Sequence, residues 1–275
     1  MQTGDGEVDV FGVLGGQYQN QVLRFTNSLR CAFVAAACLV AALAGSPGVA
    51  RAVDCPQKPS AHLPEATQPL NLGEIKLQLL DYLCFGAYDR DIEKVLADAR
   101  AHVEARADKV EKPALVLDID ETSLSNRPYF LANDFGTIMQ GACKLDAGKS
   151  VPDEPCGFNA WLTEHEAKAI DPTLKLFNLA KSKNVAVFFI TGRRDNERPS
   201  TIANLKKAGY EGWADLMMRG PGDPTPVRVF KTSERAKIAA RGFTIIANVG
   251  DQQSDLDGGY AERTFRVPNP FYFLP

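Results

Sequence analysis

The chain has 275 residues, 45% hydrophobic and 24% charged, with a formal net charge of −3. Such a composition excludes collagen-like, disordered and disulfide-dense classes, and the charge gives no electrostatic case for a nucleic-acid polymer as partner. The length suits one large domain or one domain with an appendage, at about 100–200 residues per domain. No two of the three histidines (His62, His102, His165) have metal-ligand spacing, so a histidine-rich zinc site is not expected.

Near the N-terminus, Cys31–Gly45 (CAFVAAACLVAALAG) is an apolar run preceded by Arg24 and Arg30 and followed by Ala50-Arg51-Ala52. It is shorter than the roughly 20 residues of a spanning helix. Basic flank, short apolar run and A-x-A site together predict a secretory signal over 1–52, whose removal leaves no membrane span. The expected location is periplasmic or secreted. Four cysteines then remain: Cys55, Cys84, Cys143 and Cys156. Export permits disulfides and four cysteines allow three pairings. Cys55–Cys84 with Cys143–Cys156 is favoured, because short loops cost least to close.

Residues 53–112 read as a Pro-rich arm followed by helices. From Asn71 to about Ala107, Leu79, Leu80 and Leu83, then Ile92, Val95, Leu96 and Ala99, recur at helical spacing. After Pro113 short apolar runs alternate with amphipathic stretches. Ala114–Asp120 (ALVLDID), Val185–Thr191 (VAVFFIT) and Phe243–Val249 (FTIIANV) read as buried strands, with helices over 172–183, 197–208 and 232–241 between and after them. That rhythm predicts an α/β fold, a parallel sheet sandwiched by helices, over 113–275. A polar stretch at about 123–171 interrupts it and reads as a small cap inserted after the first strand.

Each strand ends in polar groups: Asp118-Ile-Asp120-Glu-Thr122, Thr191-Gly192-Arg193, and Gly250-Asp251-Gln-Gln-Ser-Asp255. Lys231 is placed at the start of the helix before the third strand. Ligands of open α/β sheets bind outside the carboxyl ends of the strands, so these groups converge. Clustered carboxylates repel one another, and a hard divalent cation such as Mg²⁺ removes that cost. Lys231, Thr191 and the turn amides form a donor-rich receptor for an oxyanion. The set suits phosphoryl transfer through a carboxylate nucleophile.

DIDET, ITGR, the lysine of KTSER and GDQQSDL resemble the four motifs of the haloacid-dehalogenase-like (HAD) phosphohydrolases. The similarity is greatest to the secreted acid phosphatase branch, subfamily IIIB, which includes class B-type enzymes and plant vegetative storage proteins. ANLKKAGY and the closing RTFRVPNPFYF extend it over about 112–275. The resemblance implies a HAD-type Rossmann-like core and an exported Mg²⁺-dependent acid phosphatase acting on small phosphomonoesters, with 5′-nucleotidase activity an open subdivision. It implies that Asp118 is the nucleophile and Asp120 the general acid and base. Thr191, Gly192 and Lys231 then hold the phosphoryl oxygens. Asp118, the carbonyl of Asp120 and Asp251 hold the metal, Thr122 orients the loop, and Asp255 supports Lys231 or the metal. Asp118 is expected to stay ionised in mild acid and Asp120 to begin protonated, giving an activity maximum below neutrality. A phosphotransferase, or a storage or binding protein of the same fold, is the alternative; homo-oligomerisation is left open.

Tyr129, Trp161 and Phe158 read equally as core or as substrate-stacking rings. One of Arg193 and Arg194 is expected to contact substrate, the other to be a solvated charge. Two further motif matches are rejected. Cys84–Arg90 has C-x₅-R spacing but bulky and acidic residues in a helical pattern, and Gly148-Lys149-Ser150 lacks the leading strand and glycine of a phosphate loop.

Overall fold

The computed structural model describes residues 70–145, 152 and 154–274. The expected signal at 1–52, the arm at 53–69 with Cys55, and the Gly148-Lys149-Ser150 tripeptide lie outside the described residues. No helix among the described residues is long and apolar enough to cross a membrane.

Helix α1 (Leu72–Cys84) starts where the Asn71 side-chain oxygen accepts the N–H groups of Gly73 and Glu74, which a helix start leaves unpaired. Gly86, at φ +74°, turns the chain into α2 (Ala87–Arg106). Helix α2 buries Tyr88, Ile92, Leu96, Ala99 and Val103, a stripe at three-to-four spacing. Cys84 closes α1 and is disulfide-bonded, which fits the rejection of the C-x₅-R reading. Its expected partner, Cys55, is not among the described residues.

The main sheet holds five parallel strands in place of the three read from sequence. They are β1 (Pro113–Leu117), β4 (Ala186–Arg194), β5 (Asp215–Arg219), β6 (Thr244–Gly250) and β7 (Thr264–Arg266), in the order β5-β4-β1-β6-β7. Strands β5 and β7 escaped the apolar-run reading because DLMMR and TFR are short, charged edge segments. Side chains alternate across β1. Leu115 and Leu117 join the larger core with α2, α5 (Asp171–Ser182) and α6 (Arg198–Lys207). Ala114 and Val116 join Phe230 and Ile238 of α7 (Val227–Ala240) on the opposite face. Burying each large aliphatic side chain contributes about 1.5–3 kcal/mol.

Two assignments shift. Helix α7 starts five residues before the expected 232, after Pro226, so Lys231 lies in its second turn and not at its start. Strand β4 runs on through Thr191 and Gly192 to Arg194, which pairs with Arg219 of β5 beyond a register shift after Ile190.

Between β1 and α5 the insertion forms a small antiparallel ribbon, β2 (Leu124–Ser125) with β3 (Lys168–Ala169), and two short helices, α3 (Arg127–Ala132) and α4 (Phe158–Glu164). The expected Cys143–Cys156 disulfide is present. Asn133 fastens the same segment, accepting Cys156 N–H at 2.8 Å and donating to its carbonyl at 3.1 Å. Chain order leaves β1 in opposite directions, β4 on one side and β6 on the other, so the crevice of this switch point opens above β1.

Candidate active site

Asp118 follows the last residue of β1, and its N–H donates to Val249 O, which ties the strand end to β6. The chain then turns. Ile119 O accepts the N–H groups of Thr122, Ser123 and Leu124, and Glu121 takes φ 54°. Ser123 Oγ closes the turn onto Asp118 O at 2.6 Å. The turn carries Asp120 off the line of the strand, and both aspartates border the crevice beyond its end.

Lys231 Nζ lies 2.5 Å from Asp118 Oδ1 and 2.5 Å from Asp255 Oδ1, and all three side chains are buried. Burial alone would lower the ammonium, yet Asp118 and Asp255 hold it above its ordinary value. Asp118 is pushed well up by burial; Lys231 opposes this, while Asp255, Asp251 and Asp120 reinforce it. The protein groups alone leave an excess of carboxylate around Asp118. Asp255 is aimed by two contacts: its Oδ2 accepts Gln252 N–H at 2.8 Å, and its carbonyl accepts Asn248 Nδ2 at 2.9 Å. Gly250 makes room, since a Cβ there would fall 2.3 Å from Asp255 Cβ.

Asp251 is buried and held from three directions. Thr122 Oγ1 donates to its Oδ1 at 3.0 Å, while Gln252 Nε2 and Asn269 Nδ2 donate to Oδ2 at 2.6 and 2.7 Å. The Thr122 bond ties the turn after β1 to the end of β6. Gln252 and Asn269 also bind the C-terminal segment: Leu274 N–H donates to Gln252 Oε1, and Phe271 N–H to Asn269 Oδ1. Oxygens of Asp118, Asp251 and Asp255 lie within 4.8 Å of one another, a hard-donor set able to hold a divalent cation.

Asp120 is gripped by Arg193, with Nη2 at 2.6 Å from Oδ1 and Nε at 2.9 Å from Oδ2. Burial would raise its carboxyl, but the Arg193 charge, the Arg193 bonds and the Asn126 bond bring it below the usual range. The Arg193 grip thus favours the ionised form of Asp120. Nothing in the motif announces that the arginine of ITGR folds back onto the second aspartate. Arg193 is itself fixed by Thr201 Oγ1 at 3.2 Å, and its N–H by Thr191 Oγ1 at 3.1 Å. Thr191 is buried, and Gly192 borders the crevice.

Sequence reasoning missed Glu121 and Asn126. Asn126 Nδ2 donates to Asp120 Oδ1 at 2.8 Å and to Glu121 Oε2 at 3.0 Å, and its N–H to Glu121 Oε1 at 2.6 Å. Trp161 Nε1 donates to Asn126 Oδ1 at 2.9 Å. Of the three aromatic candidates, Trp161 and Tyr129 fall on the core side, and Phe158 borders the crevice. Trp161 is buried and reaches Asp120 only through Asn126, and buried Tyr129 exchanges hydrogen bonds with the Ile138 backbone. The crevice, about 520 Å³, is walled instead by Phe130, Met139, Phe158, Tyr272 and Phe273 opposite the carboxylates. The closing VPNPFYF was read as family likeness; the tie of Asn269 to Asp251 is what brings it to the site.

Several known proteins are similar to this chain. The stem 28 kDa glycoprotein of Glycine max is 36% identical over 167 residues, 59% of this chain and 61% of that protein. The chain thus spans about three fifths of that relative's length. Acid phosphatase 1 of Solanum lycopersicum is 30% identical over 198 residues, 70% of this chain and 72% of the relative. The class C acid phosphatase of Bacillus anthracis shares the fold with a TM-score of 0.55 at 23% identity, covering 72% of this chain and 86% of that one. Residues 59–275 match the family described as HAD superfamily, subfamily IIIB (Acid phosphatase), and the chain belongs to that family.

Proposed function

We propose that the chain is an exported acid phosphatase hydrolysing small phosphomonoesters through a phosphoryl-aspartate at Asp118. The observation that carries this reading is Lys231, held at 2.5 Å from both Asp118 and Asp255 above the central strand, with Asp251 alongside. An Asp118 oxygen attacks phosphorus, the ester P–O bond breaks, and Asp120 supplies the proton to the departing oxygen. Water then attacks phosphorus, Asp120 takes its proton, and the Asp118–phosphorus bond breaks to release phosphate. Thr191, Gly192 and Lys231 hold the phosphoryl oxygens.

The donor set fits Mg²⁺. Asp118, Asp251 and Asp255 supply clustered hard oxygens, and negative charge exceeds what Lys231 and Arg193 neutralise. Asp118, Asp251 and the Asp120 carbonyl would hold the ion, with Asp255 behind. Bound there, Mg²⁺ supplies Lewis-acid neutralisation of phosphoryl charge. The domain reading goes with this: signal 1–52, arm and helices 53–112, core 113–275 with its cap at about 123–171.

Phosphate release from phenyl phosphate by the purified protein, in mild acid with Mg²⁺, tests the reading. EDTA is expected to lower the rate by about 100-fold or more, with recovery on adding Mg²⁺. No turnover by folded protein in any condition would favour a storage or binding role. Transfer to added alcohol in place of water would mark a phosphotransferase.

The Arg193–Asp120 pair sets a pH expectation. An entering phosphoryl group competes for Arg193 and frees Asp120 to carry a proton. In Arg193→Gln the lowering charge is gone, so Asp120 stays protonated to higher pH. The alkaline limb of kcat/KM is expected to move upward while the maximum falls. A limb that stays put or moves down would remove Asp120 as the acid.

A further inference from the structure

We propose that Arg194 and Arg219 form a second anion subsite in the same crevice, and that the substrate is a phosphomonoester whose leaving group carries a second oxyanion, phosphate or carboxylate. This rests on the phosphatase reading of the Asp118 end.

Arg194 and Arg219 are register partners on neighbouring parallel strands, β4 and β5, and both line the crevice that holds Asp118 and Lys231. Two guanidinium groups side by side ordinarily attract a carboxylate. Here Arg194 Nη1 donates only to Gly220 O (3.1 Å) and Asp223 O (2.8 Å). Arg219 Nη2 donates to Asp223 O (2.9 Å) and Thr225 O. These are neutral carbonyls, and neither arginine has an ion-pair partner among the described residues. Of the nearest acids, Asp223 acts on both arginines through space without a direct ion pair while its Oδ1 accepts Thr225 N–H at 2.9 Å, and Glu197 Oε2 accepts the Arg194 backbone N–H at 2.7 Å. Arginines close by do find partners, Arg198 with Asp195 at 2.5 Å and Arg241 with Asp215 at 3.0 Å.

Arg219 is 9% exposed, and its buried Nε has no hydrogen-bond partner. A buried donor left unmade is costly, and an oxyanion offers the fork–fork geometry that satisfies it. Burial and the neighbouring Arg194 push the Arg219 guanidinium below its ordinary value, and the charge of Asp223 opposes this only in part. Strand β5 lies two strand spacings from β1, so the second anion sits about 10 Å from the Asp118 strand. That span suits a leaving group several bonds long. Lys231 and Arg193 already serve the phosphoryl group beside Asp118, so Arg194 and Arg219 serve the far end.

The test compares substrates matched but for the second charge: phenyl phosphate with 4-carboxyphenyl phosphate, and pentyl phosphate with 1,5-pentanediol bisphosphate. The wild type is expected to prefer the doubly charged member of a pair by about tenfold or more in kcat/KM, mostly through KM. That preference should fall towards unity in Arg194→Gln, whose side chain is only partly buried, and in Arg219→Gln. The carboxylate and phosphate arms show which oxyanion is taken. Turnover of phenyl phosphate without any preference, or a preference that both variants keep, would overturn the subsite and leave the phosphatase reading standing. Absence of all turnover would overturn the phosphatase reading alone. Calorimetric binding of pentane-1,5-bisphosphonate against pentylphosphonate, in wild type and Arg194→Gln, then decides the subsite by the same ratio.

Discussion

Asp118→Asn is expected to lower phosphate release by about 10⁴-fold or more while raising the melting temperature by a few degrees in metal-free buffer. The activity half follows from chemistry: a carboxamide of the same shape cannot supply the attacking oxyanion. The stability half follows from the surroundings of the side chain. Asp118 is buried, and burial with Asp255, Asp251 and Asp120 raises its carboxyl against the opposing charge of Lys231. A carboxyl raised on folding binds its proton more tightly in the native state, so its ionisation costs stability as pH rises above the range in which the unfolded chain's carboxyl titrates. An asparagine removes that cost, and its Oδ1 can still accept from Lys231, which keeps Asp255 as its counter-ion. Each kcal/mol is worth about 2–4 °C in a domain of this size. Rate assays and thermal melts on the same preparation check both halves. Turnover within tenfold of wild type would place the nucleophile elsewhere. A melting temperature several degrees lower would show that the Asp118 charge holds the crevice together.

Strand ends and their polar groups were legible because β1, β4 and β6 are central, buried on both faces and continuously apolar. Edge strands β5 and β7 carry no such run, so Asp215–Arg219 and Thr264–Arg266 passed as connections. With β5 unseen, the pairing of Arg194 with Arg219 was unseen too, and which of Arg193 and Arg194 meets substrate stayed open. The convergence of Asp118, Asp120, Lys231, Asp251 and Asp255 needed only strand polarity. What spacing could not convey was the orientation of long side chains. Arg193 could have faced substrate or solvent, and it turns onto Asp120 instead. Asn126 and Asn269 act through single amide groups, each bridging two partners far apart in sequence, and a lone Asn in a polar loop gives no periodic signal. Trp161 and Tyr129 were ambiguous for the converse reason. An aromatic ring with a polar tip suits a cleft wall or a core, and here the tips are taken by Asn126 and by the Ile138 backbone.

Lys231→Met is expected to be the most destabilising substitution at the site. Removing one member of a buried pair costs about 3–5 kcal/mol, because the remaining charge stays in a poorly solvating place. Here two carboxylates are left, Asp118 and Asp255, beside Asp251. The melting temperature should fall by about 6–20 °C at neutral pH in the absence of metal. The sign of the pH dependence separates this cause from a packing defect. Without Lys231 the Asp118 carboxyl rises further, so the native state takes up protons more readily than the unfolded chain, and the deficit shrinks as pH falls. A packing defect from the shorter, apolar side chain would be the same at every pH. The double variant Lys231→Met with Asp255→Asn should recover part of the loss, since one of the stranded charges is gone, and the coupling is read from a double-mutant cycle. Lys231→Arg keeps the charge but brings a planar fork into a space fitted to a single ammonium, so it should recover stability better than turnover. A deficit independent of pH, with no recovery in the double variant, would mean that Lys231 fills space and does not hold Asp118 and Asp255 together.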